Sequence, residues 1–206
     1  MIAIIDYDVG NLKNVYTALK DVDLEGVITR DPKVVDNAEA IILPGVGAFS
    51  DAMEHLRQFD LIDCLDKNVQ SGKTLMGICL GMQVLFDKST EDGEWTGLGY
   101  IPGDIVKFDA PGLKIPHMGW NNLIINRDDP LVKGIGGEDY VYFVHSYYLQ
   151  AADASEVAAR TEYGALIDAA VQKGGLCATQ FHPEKSGRVG LQILRNFAAM
   201  AGKERG

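Results

Sequence analysis

The sequence predicts an α/β protein, with an open, mostly parallel sheet, helices on both faces and antiparallel strands added at one edge. Three observations point there. Short apolar runs alternate with segments of helical spacing through residues 1–70. The run at 74–78 passes straight into a helical pattern with no loop between them. After residue 86 the chain becomes β-prone, broken by prolines and glycines.

Residues 1–5 read as a first strand, buried on both faces because the apolar run does not alternate. Tyr7-Asp8-Val9-Gly10-Asn11 is a turn. Leu12, Val15, Tyr16 and Leu19 then recur at helical spacing, with Asn11 as N-cap. Residues 26–29 form a second strand. Asp31-Pro32 is an N-cap with proline at the first helical position, and residues 40–43 are a third strand. Pro44-Gly45-Val46-Gly47 is a loop. Ser50 or Asp51 caps the next helix, whose apolar positions are Met53, Leu56, Leu61, Ile62 and Leu65. A strand at 74–78 leads into a helix at 80–86. Residues 97–108, 121–125, 140–149, 158–163, 166–172 and 176–181 read as strands, with Gly174-Gly175 as a hairpin turn. Leu191, Leu194 and Phe197 mark a terminal helix. The class is therefore a three-layer, flavodoxin-like open mixed sheet, and residues 1–206 are expected to form a single domain.

Composition narrows the function. A net charge of -10 argues against a nucleic-acid partner. No apolar stretch approaches the ~18 residues of a membrane helix, and the apolar run at the N-terminus stops at Asp6 with no basic region before it. Three cysteines without a C-x-x-C pair point to a reducing cytoplasm. The four histidines lack metal-ligand spacing, so a structural zinc is not expected; no other metal and no cofactor are expected either.

Gly77-Ile78-Cys79-Leu80-Gly81 is a thiol form of the nucleophile elbow. A strand that turns at once into a helix is cramped, and flanking glycines remove the β-carbons that would clash. The helix start sets N–H groups and a positive dipole end beside the sulfur, which favours thiolate chemistry. On this stretch alone, a reactive thiol and a buried structural cysteine fit equally well. Ligands of open α/β sheets bind beyond the carboxyl ends of the strands. The loop of Gly45, Val46 and Gly47 would share that edge, and with the N–H of Leu80 it is a candidate oxyanion site. By itself the loop fits an ordinary glycine-rich turn better.

A second constellation is Gln180-Phe181-His182-Pro183-Glu184-Lys185. In an extended segment residues two apart face one way, so His182 and Glu184 can point together. A thiol nucleophile needs a base, and the base needs a carboxylate to orient it. Beside the elbow, these residues favour catalysis over a polar strand end. His145 is a rival base without such a carboxylate. It and His117 read as pocket, interface or structural histidines. His55 reads as solvated, and Cys64 and Cys177 as inert core thiols.

G-I-C-L-G-M-Q at 77–83, P-G-V-G at 44–47 and F-H-P-E-K-S at 181–186 together resemble the class I glutamine amidotransferases, over most of the chain. P-H-M-G-W-N at 116–121 and Y-F-V-H-S-Y at 142–147 are similar to glutaminase subunits of imidazole glycerol phosphate synthases. Met82 agrees, since the anthranilate synthase relatives usually carry histidine there. Asp8 departs from the pattern, where a small residue is commoner.

The resemblance implies a Cys79–His182–Glu184 triad that hydrolyses L-glutamine through a thioester. It further implies that Gln83, Glu91, Ser146 and Tyr147 hold the substrate. The implied partner is a (β/α)8-barrel cyclase subunit, in a heterodimer that makes imidazole glycerol phosphate. His117, Met118, Trp120, Asn121, Tyr142, His145 and Lys185 are the expected partner surface. The competing classes are subunits of anthranilate, purine or pyridoxal phosphate synthases, a cysteine peptidase of related fold, and a non-catalytic interaction domain.

Overall fold

The structure, a computed structural model, describes residues 1–109 and 111–203. The first strands and helices form where the sequence places them: β1 (Ile2–Ile5), α1 (Leu12–Lys20), β2 (Gly26–Thr29), α2 (Pro32–Asn37) and β3 (Ala40–Gly45). Asn11 caps α1 by accepting from the Asn14 N–H, and Asp31 caps α2 by accepting from Lys33. Then come α3 (Phe49–Gln58), α4 (Leu61–Gln70), β4 (Thr74–Cys79) and α5 (Leu80–Gln83). The later strands are β5 (Lys88–Ser89), β6 (Trp95–Thr96), β7 (Gly103–Lys107), β8 (His117–Asn122), β9 (Ile124–Ile125), β10 (Tyr140–His145), β11 (Tyr147–Ala151), β12 (Val157–Glu162), β13 (Leu166–Lys173) and β14 (Leu176–Thr179). α6 (Gly187–Lys203) follows them.

The main sheet runs β2-β1-β3-β4-β14-β13-β12-β9. It is parallel from β2 to β14 and antiparallel beyond. Ala3 and Ile5 of β1 enter one core with Leu43, Leu56 and Phe86, while Ile2 and Ile4 enter the other with Leu19, Phe181 and Phe197. Both faces of the strand are covered, which is why its sequence does not alternate.

Several elements depart from the sequence expectation, each for a physical reason. β3 continues through Pro44 and Gly45. Its pairing with β1 stops at Ile42, so Pro44 lies where only β4 is alongside and no N–H is needed on the other flank. The expected single helix after the 44–47 loop is broken into α3 and α4 at Asp60, which takes a left-handed conformation. Neither Ser50 nor Asp51 caps α3. It starts one residue earlier, and the Phe49 N–H donates to Glu91 Oε2 at 2.6 Å. α5 stops at Gln83 rather than Phe86. The carbonyls of Val84, Leu85 and Phe86 accept from Leu98, Tyr100 and Gly99 instead of continuing the helix.

The expected strand at 140–149 is two strands with a break at Ser146. β10 pairs with β8 in a two-stranded sheet, and β11 pairs with β7 in a four-stranded sheet with β5 and β6. Part of the β-rich region therefore leaves the main sheet and forms separate sheets over its carboxyl edge.

Candidate active site

Cys79 ends β4 and begins the turn into α5, with φ 55°. A non-glycine residue there is strained, and such strain persists only where the surroundings impose it. The surroundings are tight: a β-carbon on Gly81 would collide with the Leu43 carbonyl, and one on Gly77 with the backbone of Gly81. The sulfur is therefore held by packing of β3 against the elbow. It lies in a cleft of about 270 Å³, lined also by Val46, Gly47, Leu80, Gln83, Glu91, Ser146 and Tyr147.

Gly45 pairs in register with Cys79. It lies against the Tyr7 hydroxyl and the Gly81 N–H too closely to carry a side chain. The Tyr7 hydroxyl is buried and donates to the Pro44 carbonyl at 2.7 Å. Burial raises its pKa, and the negative charge of Cys79 pushes the same way. The 7–11 turn therefore packs against the base of the 44–47 loop. Beyond Gly45 the loop opens: Val46 is 42% exposed, and Gly47 has φ 108° with nothing near its missing β-carbon.

His182 and Glu184 are brought together, though not by an extended segment. β14 ends at Thr179, and Pro183–Lys185 is a 3-10 turn with His182 as its N-cap. Proline at the first position suits that turn. His182 Nδ1 lies 2.8 Å from Glu184 Oε1, and the His182 N–H donates to the Tyr142 carbonyl at 3.0 Å. Among the described residues, His182 Nε2 is buried without a hydrogen-bond partner. Burial works against a charge on His182. The hydrogen-bonding and charge interactions with Cys79 and Glu184 outweigh it and raise the imidazole pKa to about 9. That balance needs the sulfur beside the ring, although the pair lies outside hydrogen-bond geometry. Such contacts are often long in an unliganded site.

Gln83 lines the cleft, and its Nε2 donates to the Tyr147 carbonyl and to Gln180 Oε1, both at 3.1 Å. Glu91 is half-buried and serves both the cleft and the start of α3. Burial raises its pKa against the lowering effect of the Phe49 N–H. His145 lines the same cleft but is buried. Its Nδ1 donates to the Tyr147 carbonyl at 2.8 Å, and its Nε2 lies 3.0 Å from His117 Nδ1. His117 is stacked between Phe143 and Tyr163. Neither ring stands on an open surface, because the aromatic cluster that includes Phe108 encloses them. Of the other residues expected at a partner surface, Met118 is 57% and Trp120 56% exposed. Asn121 donates to the Glu162 carbonyl, and Lys185 Nζ lies over the Tyr142 ring. His55 is half-buried rather than solvated, with Nδ1 3.0 Å from the Tyr7 carbonyl. Cys64 and Cys177 are buried.

Sequence reasoning missed Gln180 and Tyr7. For Gln180 a signal existed, since the alternation that aligned His182 with Glu184 puts residue 180 on the same side. Nothing local distinguishes Tyr7.

The family model for Glutamine amidotransferase class-I matches residues 3–201. The chain is 50% identical to the imidazole glycerol phosphate synthase subunit HisH of Caldanaerobacter subterraneus subsp. tengcongensis, over 97% of this chain and 98% of that one. It is 47% identical to the protein of the same name from Methanothermobacter thermautotrophicus, over 96% and 97%. Two solved structures share the fold. One is described as a glutamine amidotransferase, with TM-score 0.78 and 23% identity over 98% of this chain and 100% of that one. The other is PurLQS from Thermotoga maritima, with TM-score 0.75 and 21% identity over 96% and 97%. This chain belongs to the class-I glutamine amidotransferase family, among its HisH subunits.

Proposed function

We propose that the chain is the glutaminase subunit of an imidazole glycerol phosphate synthase and that residues 1–206 act as one domain. The observation that carries the mechanism is the strained Cys79 elbow facing a buried His182 whose pKa Cys79 and Glu184 raise to about 9. A histidine held protonated beside the nucleophilic sulfur is placed to act as the general acid for the leaving nitrogen.

The Cys79 thiolate attacks the side-chain amide carbon of L-glutamine. N–H groups of Leu80 and the 45–47 loop stabilise the oxyanion. His182 gives its proton to the amide nitrogen, which leaves as ammonia while the C–N bond breaks. Water then adds to the γ-glutamyl thioester as His182 takes its proton, and glutamate departs with the thiolate restored. Glu184 keeps the imidazole oriented and stabilises its charge.

Both hydrogens of the Gln83 amide are already bonded, so its carbonyl oxygen is what remains for substrate. One oxygen of Glu91 holds Phe49. The other is available for the substrate ammonium, with Ser146 and Tyr147 completing the cleft.

Ammonia released into water would protonate and diffuse away. Docking of a (β/α)8-barrel cyclase subunit, as a heterodimer, gives it an enclosed route. The exposed Met118 and Trp120 on β8 support an apolar docking face there. Among the described residues three buried cysteines stand outside any disulfide, which fits a cytoplasmic location. Among the described residues no helix is long and apolar enough to cross a membrane.

The test is Cys79→Ala in the complex. Glutamine-dependent synthesis should be abolished, while synthesis from added ammonium salt persists. Loss of both in an assembled complex would count against the assignment.

A further inference from the structure

We propose that Gln180 is a further positioning residue of glutamine hydrolysis, which holds the Cys79 sulfur and Gln83 in one hydrogen-bonded unit. This rests on the function proposed above.

Gln180 is fully buried just beyond the end of β14, two residues before His182. Its Nε2 lies 3.9 Å from Cys79 Sγ, and its Oε1 accepts from Gln83 Nε2 at 3.1 Å. An amide can be placed either way round, but here the network decides. The Tyr147 carbonyl can only accept, so Gln83 must present its NH2 group to it. That same NH2 group meets Gln180, which must answer with its oxygen. The NH2 of Gln180 is left facing the sulfur. Turning either amide would set carbonyl against carbonyl or NH2 against NH2. His145 Nδ1 donates to the same Tyr147 carbonyl, which fixes its position from the other side.

The consequence is chemical. As a thiol, Cys79 lies at a long 3.8 Å from the Val144 carbonyl. As a thiolate it loses that contact, and the N–H of Gln180 becomes a donor aimed at the charge. Hydrogen bonding to the charged form favours it. The strand end that delivers the base thus also delivers a donor that steadies the nucleophile and ties it to a substrate-pocket residue.

Gln180→Met keeps the length and removes the amide. Gln180→Glu keeps an acceptor for Gln83 and replaces the donor facing the sulfur with a negative charge. The measurement is iodoacetamide alkylation of Cys79 across pH in the full chain, with the labelled peptide located by mass spectrometry. Glutamine kcat and KM in the cyclase complex are measured alongside it. Gln180→Met should move the reactivity profile up by about half to one pH unit and lower kcat/KM about five- to tenfold. Gln180→Glu should move the profile further while KM stays near wild type. A space-filling role would change the melting temperature alone. If the folded variants alkylate with the wild-type pH profile, the proposal is overturned. Should Gln180→Met not fold, a wild-type alkylation profile in the near-isosteric Gln180→Glu still overturns the proposal. Alkylation needs neither glutamine nor partner. A wrong functional assignment would therefore show separately, as a wild-type complex without glutaminase activity.

Discussion

Two buried histidine sites lie under one roof of β-strands and behave in opposite ways. His182 is 2% exposed, His117 3% and His145 6%, so burial alone cannot separate them. Yet the pKa of His182 is raised to about 9, whereas burial lowers His117 to about 4 and His145 to about 3. The difference lies in the partners. His182 has a carboxylate at 2.8 Å and a thiol beside it. The other two rings have one another, the Asn121 amide, a backbone carbonyl and aromatic faces; of these the Tyr147 carbonyl favours a charge on His145, but less than burial opposes it. Burial penalises charge everywhere, and a specific counter-charge decides whether the penalty is overcome. The same residue type therefore favours the charged form in one place, as the proposed acid–base role needs, and the neutral form in the other.

The sharpest way to break this contrast is to remove each ring. His182→Ala should lose about 10²–10⁴ in glutamine turnover, because the proton relay disappears. His145→Ala should act mainly on KM, by freeing the Tyr147 carbonyl that Gln83 also uses. Single-turnover acylation of Cys79 in each variant measures this. Normal acylation in His182→Ala with none in His145→Ala would reverse the roles.

A second effect of similar origin concerns the open 45–47 loop. Glutamate release by the chain alone should be on the order of 10²–10³ slower than in the complex with liganded cyclase, if docking completes the oxyanion site. Equal rates for the chain, the complex and the liganded complex would show that docking does not complete the oxyanion site, without bearing on the triad.

The pair of neutral histidines makes a stability prediction with the opposite sign to His182. Their folded pKa values lie below the unfolded value of 6.5. Their contribution is therefore fully present above pH 6.5 and is lost as pH falls from there toward 4 and 3, because only the unfolded chain takes up the protons. Two such groups give a slope of about 2–3 kcal/mol per pH unit over much of that window. His182, raised to about 9, instead contributes stability that is present below 6.5 and lost as pH rises through 9. Denaturant unfolding from pH 4 to 9 should show the acid loss, and His117→Phe should reduce its slope. An unchanged slope would mean the pair is not held neutral.

The smallest effects are expected at the other thiols. Cys64→Ser and Cys177→Ser should retain glutaminase chemistry, with about 1–3 kcal/mol lost from burying a hydroxyl. A well-folded, inactive serine variant at either position would mean that the nucleophile lies elsewhere.

The sequence by itself determined the parallel half of the sheet and the position of the elbow. Both depend on local rules: apolar runs covered on two faces, caps at Asn11 and Asp31, and glycines flanking Cys79. It also determined that His182 and Glu184 share a side, although a 3-10 turn rather than an extended strand achieves this. Only the tertiary structure decided the rest. Glu91 caps α3 from 42 residues away, Tyr7 reaches Pro44 across 37, and Gln180 meets Gln83 across 97. No periodicity encodes such contacts, because each requires a donor and an acceptor to be buried together by separate elements. The split of residues 140–149 between two sheets is of the same kind. A continuous β-prone run satisfies either pairing, and what chooses between them is which strand, β8 or β7, lies within hydrogen-bonding reach on each side of Ser146. The facing of His117 and His145 follows from that choice, since β10 lies against β8 in the register that sets the two rings opposite each other, whereas the carboxylate of His182 comes from its own turn.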